Sequence, residues 1–193
     1  MRLSALRAVF AAVALGLLVA SCGYNTIPTL EEQAKARWSE VQNQYQRRND
    51  LIANLVETVK GAANFEKSTL EAVVNARAKA TSIQITPNDL SDPAKVKQFQ
   101  DAQNQLSSSL GRLIAVSENY PDLKANQNFL ALQSQIEGTE NRIAVARRNY
   151  IASVQQFNTS LRTFPTVLWA KTFLAGTKAM AEFTADEGAS KPP

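Results

Sequence analysis

The sequence predicts an all-α protein, an antiparallel up-and-down four-helix bundle with long first and last helices, and three observations carry that expectation. Apolar residues recur in alternating steps of three and four over two long stretches, the period of helices packed lengthwise. The 7 glycines and 7 prolines cluster between periodic segments, so the elements they separate are long. No segment alternates apolar and polar residues over a useful length, which removes the pattern of a half-buried strand.

The chain opens with a basic start, Met1 to Arg7, then an apolar run of 13 residues from Ala8 to Ala20, then Ser21-Cys22-Gly23. These are the parts of a secretory signal peptide. As a helix the run spans roughly 20 Å, short of the roughly 30 Å hydrocarbon core, so it is poorly suited to be a permanent span. Val19-Ala20-Ser21-Cys22 resembles a bacterial lipobox, in which cleavage precedes a Cys whose thiol and freed amine are acylated; an uncleaved signal anchor is the alternative. The expected start is therefore a cleaved signal peptide over 1–21 and a lipidated Cys22 with its tether over 22–28. Several acyl chains, each contributing about 0.8 kcal/mol per buried methylene, hold a soluble domain stably on a bilayer. Gly23 after Cys22 directs the product to the outer membrane where an envelope has two membranes, and outside the cytoplasm in any case.

The helical bundle is expected over 29–165. Thr29-Leu30-Glu31-Glu32 has the form of a capping box and predicts the start of the first helix. Its seam runs through Ala34, Trp38, Val41, Tyr45, Arg48, Ile52, Leu55, Val59 and Ala62. Gly61 and Asn64 weaken the helix there, leaving open a turn or a kink before a second helical stretch from Phe65 to Ile83. The segment from Ile85 to Pro93 is a loop, with Asp92 as cap and Pro93 at the first position of a third helix through Val96, Phe99, Leu106, Leu110, Leu113 and Val116. After Pro121-Asp122-Leu123 the longest pattern begins near Asn126 and places Phe129, Leu132, Ile136, Thr139, Ile143, Ala146, Tyr150, Ser153 and Phe157 on one seam, with Pro165 as its stop. Residues 166–183 read as an amphipathic segment on the bundle end or on a membrane, and 184–193 as a disordered tail.

Composition excludes several chemistries. The chain has no His, and its one Cys is Cys22, so His-based general base catalysis, Ser-His-Asp and Cys-His arrangements, His-ligated metal and structural disulfides are all absent from the expectation. The formal charge of +4 includes Arg2 and Arg7, and without them 19 basic residues face 17 acidic ones. That balance carries no basic stripe for nucleic acid.

Several ordered motifs resemble one family. Arg47-Arg48-Asn49-Asp50-Leu51-Ile52-Ala53-Asn54-Leu55-Val56-Glu57-Thr58-Val59-Lys60-Gly61 is similar to the signature of LemA family proteins. The resemblance continues at Asn75-Ala76-Arg77, at Tyr120-Pro121-Asp122-Leu123-Lys124-Ala125-Asn126, at Phe129 and Leu132-Gln133, at Thr139-Glu140-Asn141-Arg142-Ile143-Ala144 and at Ala146-Arg147-Arg148-Asn149-Tyr150, covering roughly residues 25 to 183. It implies a membrane-attached four-helix bundle facing away from the cytoplasm, with no established biochemical activity. Ala53 stands where the family typically has Pro and Ile151 where it typically has Asn, and the first change relaxes the middle of the first helix.

These readings give a function expectation without an enzyme, a metal or a cofactor. The expected role is a membrane-anchored binding or scaffold module for another envelope protein or for a second copy of itself. The alternative is a lipid-contacting factor acting through the C-terminal segment, with Trp169 and Phe173 as candidate membrane contacts. Arg48, the one charge in the first seam, needs a partner, and helical levels counted from the loops set Asp101 and Tyr150 near it and Glu140 near Asn54. These five are the candidate buried polar or partner site, and Asp101 with Glu140 is the carboxylate pair that an enzyme would need. Gln98, Gln100, Gln103, Asn104 and Gln105 read as a solvated face, with sugar or peptide recognition as the alternative.

Overall fold

The computed structural model describes residues 25–62 and 65–184. The signal peptide, Cys22, the first residues of the tether and the tail after 184 lie outside the described residues. Among the described residues the chain is all-helical: α1 (Thr26–Lys60), α2 (Lys67–Ser82), a 3-10 turn (Pro87–Ser91), α3 (Pro93–Ser117), the short α4 (Pro121–Lys124), α5 (Gln127–Ser160) and α6 (Thr166–Lys171).

The first helix starts earlier than its capping box predicts. Asn25 is the cap residue, and Thr29 sits inside the helix with its N–H on the Asn25 carbonyl at 3.1 Å. Pro28 is no obstacle, because an N–H in the first turn has no helical partner to lose. The earlier start brings Ile27 into the core, and Glu32 pairs with Lys35 at 2.8 Å instead of capping.

α1 and α5, of 35 and 34 residues, are rods about 50 Å long that lie antiparallel. Their register is fixed by the Trp38 and Tyr150 rings 5.2 Å apart and by the Arg48–Glu140 ion pair at 2.9 Å. α2 runs back along α1, where Arg77 Nε donates to the Asn49 carbonyl at 2.9 Å, so the break after Lys60 is a turn rather than a kink. α3 then runs beside α2, with Lys79 on Gln105 at 3.0 Å, and parallel to α1, with Phe99 against both Trp38 and Tyr45. As expected, Asp92 caps α3, accepting from the Ala94 and Lys95 N–H groups at 2.9 and 3.3 Å.

α2 and α3 have only 16 and 25 residues, so neither covers the full length of the long pair. The core accordingly falls into two clusters. One, around Ile52, Leu55, Val59, Leu106, Leu113 and Phe129, draws all its buried residues from helices. The other, around Ile27, Trp38, Phe99, Tyr150 and Phe157, is completed by non-helical chain: Ile85 and Leu90 from the loop, and Met180 and Phe183 from the C-terminal segment.

That requirement explains two departures at the C-terminus. α5 stops at Ser160, short of Pro165, as the Arg162 and Thr163 N–H groups both turn to the Thr159 carbonyl. The stretch 166–183 is helical only over Thr166–Lys171, after which the chain extends down the bundle as a strap whose Met180 and Phe183 are buried. The glutamine-rich face of α3 is also only half solvated. Gln98 and Gln105 are exposed, but Gln100 and Gln103 are 3% and 2% exposed and turn inward to bond the strap, Ala80 and Arg48.

Candidate functional site

Three features along the rod are candidates for work beyond packing. The first is a polar cluster at mid-length. Arg48, 1% exposed, donates through Nη1 to Ser107 Oγ at 2.8 Å and to Glu140 Oε1 at 2.9 Å, and through Nη2 to the Gln103 side-chain oxygen. Its guanidinium also lies 5.0 Å from the Tyr45 ring centroid. Removing a guanidinium from water is costly, and here a carboxylate, two neutral acceptors and an aromatic face offset that cost together. Only Nε has no acceptor. Glu140 is 38% exposed, so the pair joins the buried seam to solvent on one side.

The sequence-predicted members of this site disperse. Glu140 lies opposite Arg48, not Asn54, and Asn54 faces solvent. Asp101 is exposed and pairs with Lys97 at 3.0 Å. Tyr150 lies at the level of Trp38 and donates its hydroxyl to the Ala181 carbonyl at 2.9 Å. Counting levels from the loops misplaces α5 because that helix ends at Ser160, which sets its last turn opposite Ile27 and slides every pair along the rod. The two carboxylates Asp101 and Glu140 thus have separate cationic partners, and the arrangement offers no shared proton.

The second feature is a cleft on the open flank of the long pair. Glu40 and Gln44 of α1 and Asn141, Arg142, Val145 and Asn149 of α5 border a cavity of about 340 Å3. Val145 is 46% exposed at its edge, and Leu130 lies 43% exposed farther along the same helix. An apolar side chain in a rim of amides and opposite charges is the composition of a protein contact surface.

The third feature lies at the end of the rod where α1 begins. Phe164, Leu168 and Phe173 are 75%, 55% and 73% exposed, the three most exposed large apolar side chains among the described residues. Trp169 packs on Phe173 with ring centroids 5.5 Å apart and is itself partly covered by the Ile27 cluster. Arg162, Lys171 and Lys178, in the same stretch of chain, are also exposed. Of the two residues that the sequence nominates for membrane contact, Phe173 is outward and Trp169 is its support.

Gln100 and Gln103, expected on a solvated face, and Asn158, for which the sequence suggests no role, hold the strap and Arg48. For Gln103 a signal existed: it falls four residues after Phe99 and three before Leu106, in the seam itself. Among the described residues no group of three or more His, Cys, Asp or Glu is placed to hold a metal ion, and no helix is long and apolar enough to cross a membrane.

Comparison with known proteins adds a family. Residues 37–193 match the LemA family. The chain is 30% identical over 126 residues to the Protein LemA of Metamycoplasma hominis, covering 65% of this chain and 53% of that protein. It is 26% identical over 186 residues to Magnetosome protein MamQ 2 of Paramagnetospirillum magneticum, covering 88% of this chain and 67% of that protein. Magnetosome protein MamQ of Magnetospirillum gryphiswaldense is 25% identical over 158 residues, 74% of this chain and 58% of its own length. The chain thus spans roughly half to two thirds of the length of these curated relatives.

Proposed function

The chain belongs to the LemA family, and from that premise we propose that it is a non-enzymatic, membrane-anchored helical module of the cell envelope that binds another envelope protein on its flank. The observation that carries this reading is a division of labour along one rod. The start of α1, where the anchor segment enters, and the exposed Phe164, Leu168 and Phe173 share one end, while the Val145 cleft lies well along the shaft. A lipidated Cys22 holds that end on a membrane, outside the cytoplasm. The alternating directions of α1, α2, α3 and α5 support an up-and-down four-helix bundle as the rigid shaft. The family and the magnetosome names of the relatives support a membrane-associated protein.

Site-specific photo-crosslinking in intact envelopes tests the flank. A photoreactive residue at Val145 is expected to capture one discrete protein, while the same residue at Val74, 42% exposed on α2, captures none. Equal capture at both positions, or none at either, would overturn the reading.

A second reading has an observation of its own. The exposed Phe164, Leu168 and Phe173, with exposed Arg162, Lys171 and Lys178 in the same stretch of chain, suit the interface of an anionic bilayer. On that reading the same end contacts lipid directly, independently of the acyl chains. A Cys22→Ser protein that still binds vesicles would support it, and complete loss of binding would refute it.

A further inference from the structure

The strap is held in a way that helix packing alone does not require. Residues 177–184 lie extended across a floor made by α1, α3 and α5, and side chains of that floor read their main chain. The Asn158 amide takes both main-chain groups of Met180: Nδ2 donates to the carbonyl at 2.9 Å, and Oδ1 accepts from the N–H at 2.9 Å. Gln100 does the same at Thr184, donating to the carbonyl at 2.7 Å and accepting from the N–H at 3.1 Å. Between them the Ala181 N–H donates to the Leu90 carbonyl at 2.7 Å, and its own carbonyl accepts from the Tyr150 hydroxyl. All main-chain polar groups of three residues are thus satisfied by the floor.

Two side chains point inward. Met180 and Phe183 are 7% and 6% exposed. Phe183 stacks on Trp38 with centroids 5.7 Å apart, meets Tyr150 edge-on, and lies 4.7 Å from the Arg147 guanidinium. An extended main chain read by amides, with two anchors three residues apart, is the chemistry of a peptide-binding groove. The linker that delivers the strap is exposed at Thr172, Phe173, Ala175 and Gly176, and a Cβ added at Gly176 would meet nothing within 4 Å.

We propose that this groove is a peptide site for the strap of a second copy of the chain, so that molecules crowded on a membrane exchange their C-terminal segments. The inference rests on the membrane-anchored reading above and adds to the flank a separate contact between copies. Every contact that the strap makes in its own groove is available, group for group, in the groove of a second copy. Contact energy is therefore the same in both arrangements, and local concentration sets the balance between them. A common tether at one end raises that concentration and presents all copies in the same orientation.

The test uses the full-length chain reconstituted in vesicles of phosphatidylethanolamine and phosphatidylglycerol, with a benzoylphenylalanine in place of Phe183. On irradiation at rising protein density, a covalent dimer is expected to increase, its adduct mapping to the Trp38 or Arg147–Tyr150 region of the other chain. Irradiation of the same protein in dilute detergent before reconstitution, which fixes each strap covalently in its own groove, is expected to abolish the later dimer. Adducts confined to the same chain at every density, or dimers mapping elsewhere, would overturn the proposal. A parallel measurement avoids the bulky ring: two differently tagged unsubstituted chains are co-reconstituted and captured through one tag. Co-capture that rises with protein density supports exchange, and co-capture that is absent at every density overturns it. Internal adducts at 183 with intact capture at Val145 would remove strap exchange while leaving the flank reading in place, and the reverse pattern would do the opposite.

Discussion

Glu140→Ala is the substitution that most directly probes why a charge sits in the α1 seam. It leaves the Arg48 guanidinium 1% exposed with Ser107, Gln103 and the Tyr45 face but no counter-charge. Breaking a fully buried pair by removing one partner costs about 3–5 kcal/mol. Glu140 is 38% exposed, so water reaches the vacated place and the expected cost falls to about 2 kcal/mol. At this chain length that corresponds to a melting temperature lower by roughly 4–8 °C. Arg48→Met behaves differently, because it removes the charge while keeping a long apolar stem, and Glu140 turns to solvent. Its expected cost is within about 1 kcal/mol of wild type, and the double variant is expected to match Arg48→Met alone. Urea titration followed by circular dichroism reads all four proteins. Glu140→Ala within about 0.5 kcal/mol of wild type, or a double variant as unstable as Glu140→Ala, would refute the reasoning.

Other expectations concern pH and lipid. The Tyr150 phenol is pushed well above its usual range, first by burial and then by the Glu182 carboxylate. A group raised in the folded state stabilises fully below its unfolded pKa of about 10 and loses that contribution as pH rises through the folded value, so stability falls in alkali. Tyr150→Phe is expected to flatten that alkaline limb while costing about 1 kcal/mol at neutral pH through the lost bond to Ala181, and an unchanged alkaline limb in the urea midpoints would count against it. Asp89, in the loop beneath the core, is held well below the carboxylate range by the Lys95 ammonium and then by the Thr86 hydroxyl and N–H. Its contribution is present above the ordinary carboxylate pKa of about 4 and is lost as pH falls, so Asp89→Asn should reduce the acid sensitivity of folding, read by the same titrations at descending pH. Replacing Phe164, Leu168 and Phe173 together by Ser should leave folding intact, since all three are exposed. In the Cys22→Ser background the triple variant should lose vesicle binding by about 3 kcal/mol, roughly 150-fold in co-sedimentation, and unchanged binding would dismiss the lipid contact.

The helices were legible because each long seam repeats with a heptad period, and Trp38, Tyr45, Ile52, Phe129, Ile143 and Phe157 all fall buried where that period puts them. Register was not legible for the same reason. Sliding one rod past another by whole or half heptads leaves an apolar seam almost unchanged, so the pattern alone does not decide whether Arg48 meets Glu140 or Tyr150. What decides it is where the helices end, and ends are set by local bonds such as those of Arg162 and Thr163 on Thr159. The strap was invisible to periodicity, because an extended segment that fills a gap left by short neighbours has no repeat of its own. Asn158 illustrates the point: its role depends entirely on main-chain groups 22 residues away.

On the proposed reading, a helical rod of about 50 Å stands on a bilayer by the end at which α1 begins and offers its flank to a partner. Depth-dependent quenching in vesicles tests it most directly, with a fluorescent label placed in turn at Phe173 and at Gly61, just past the far end of α1. The account predicts strong quenching by headgroup-level quenchers at 173 and none at 61. Equal quenching at both positions, as for a rod lying flat, or none at 173, would contradict it.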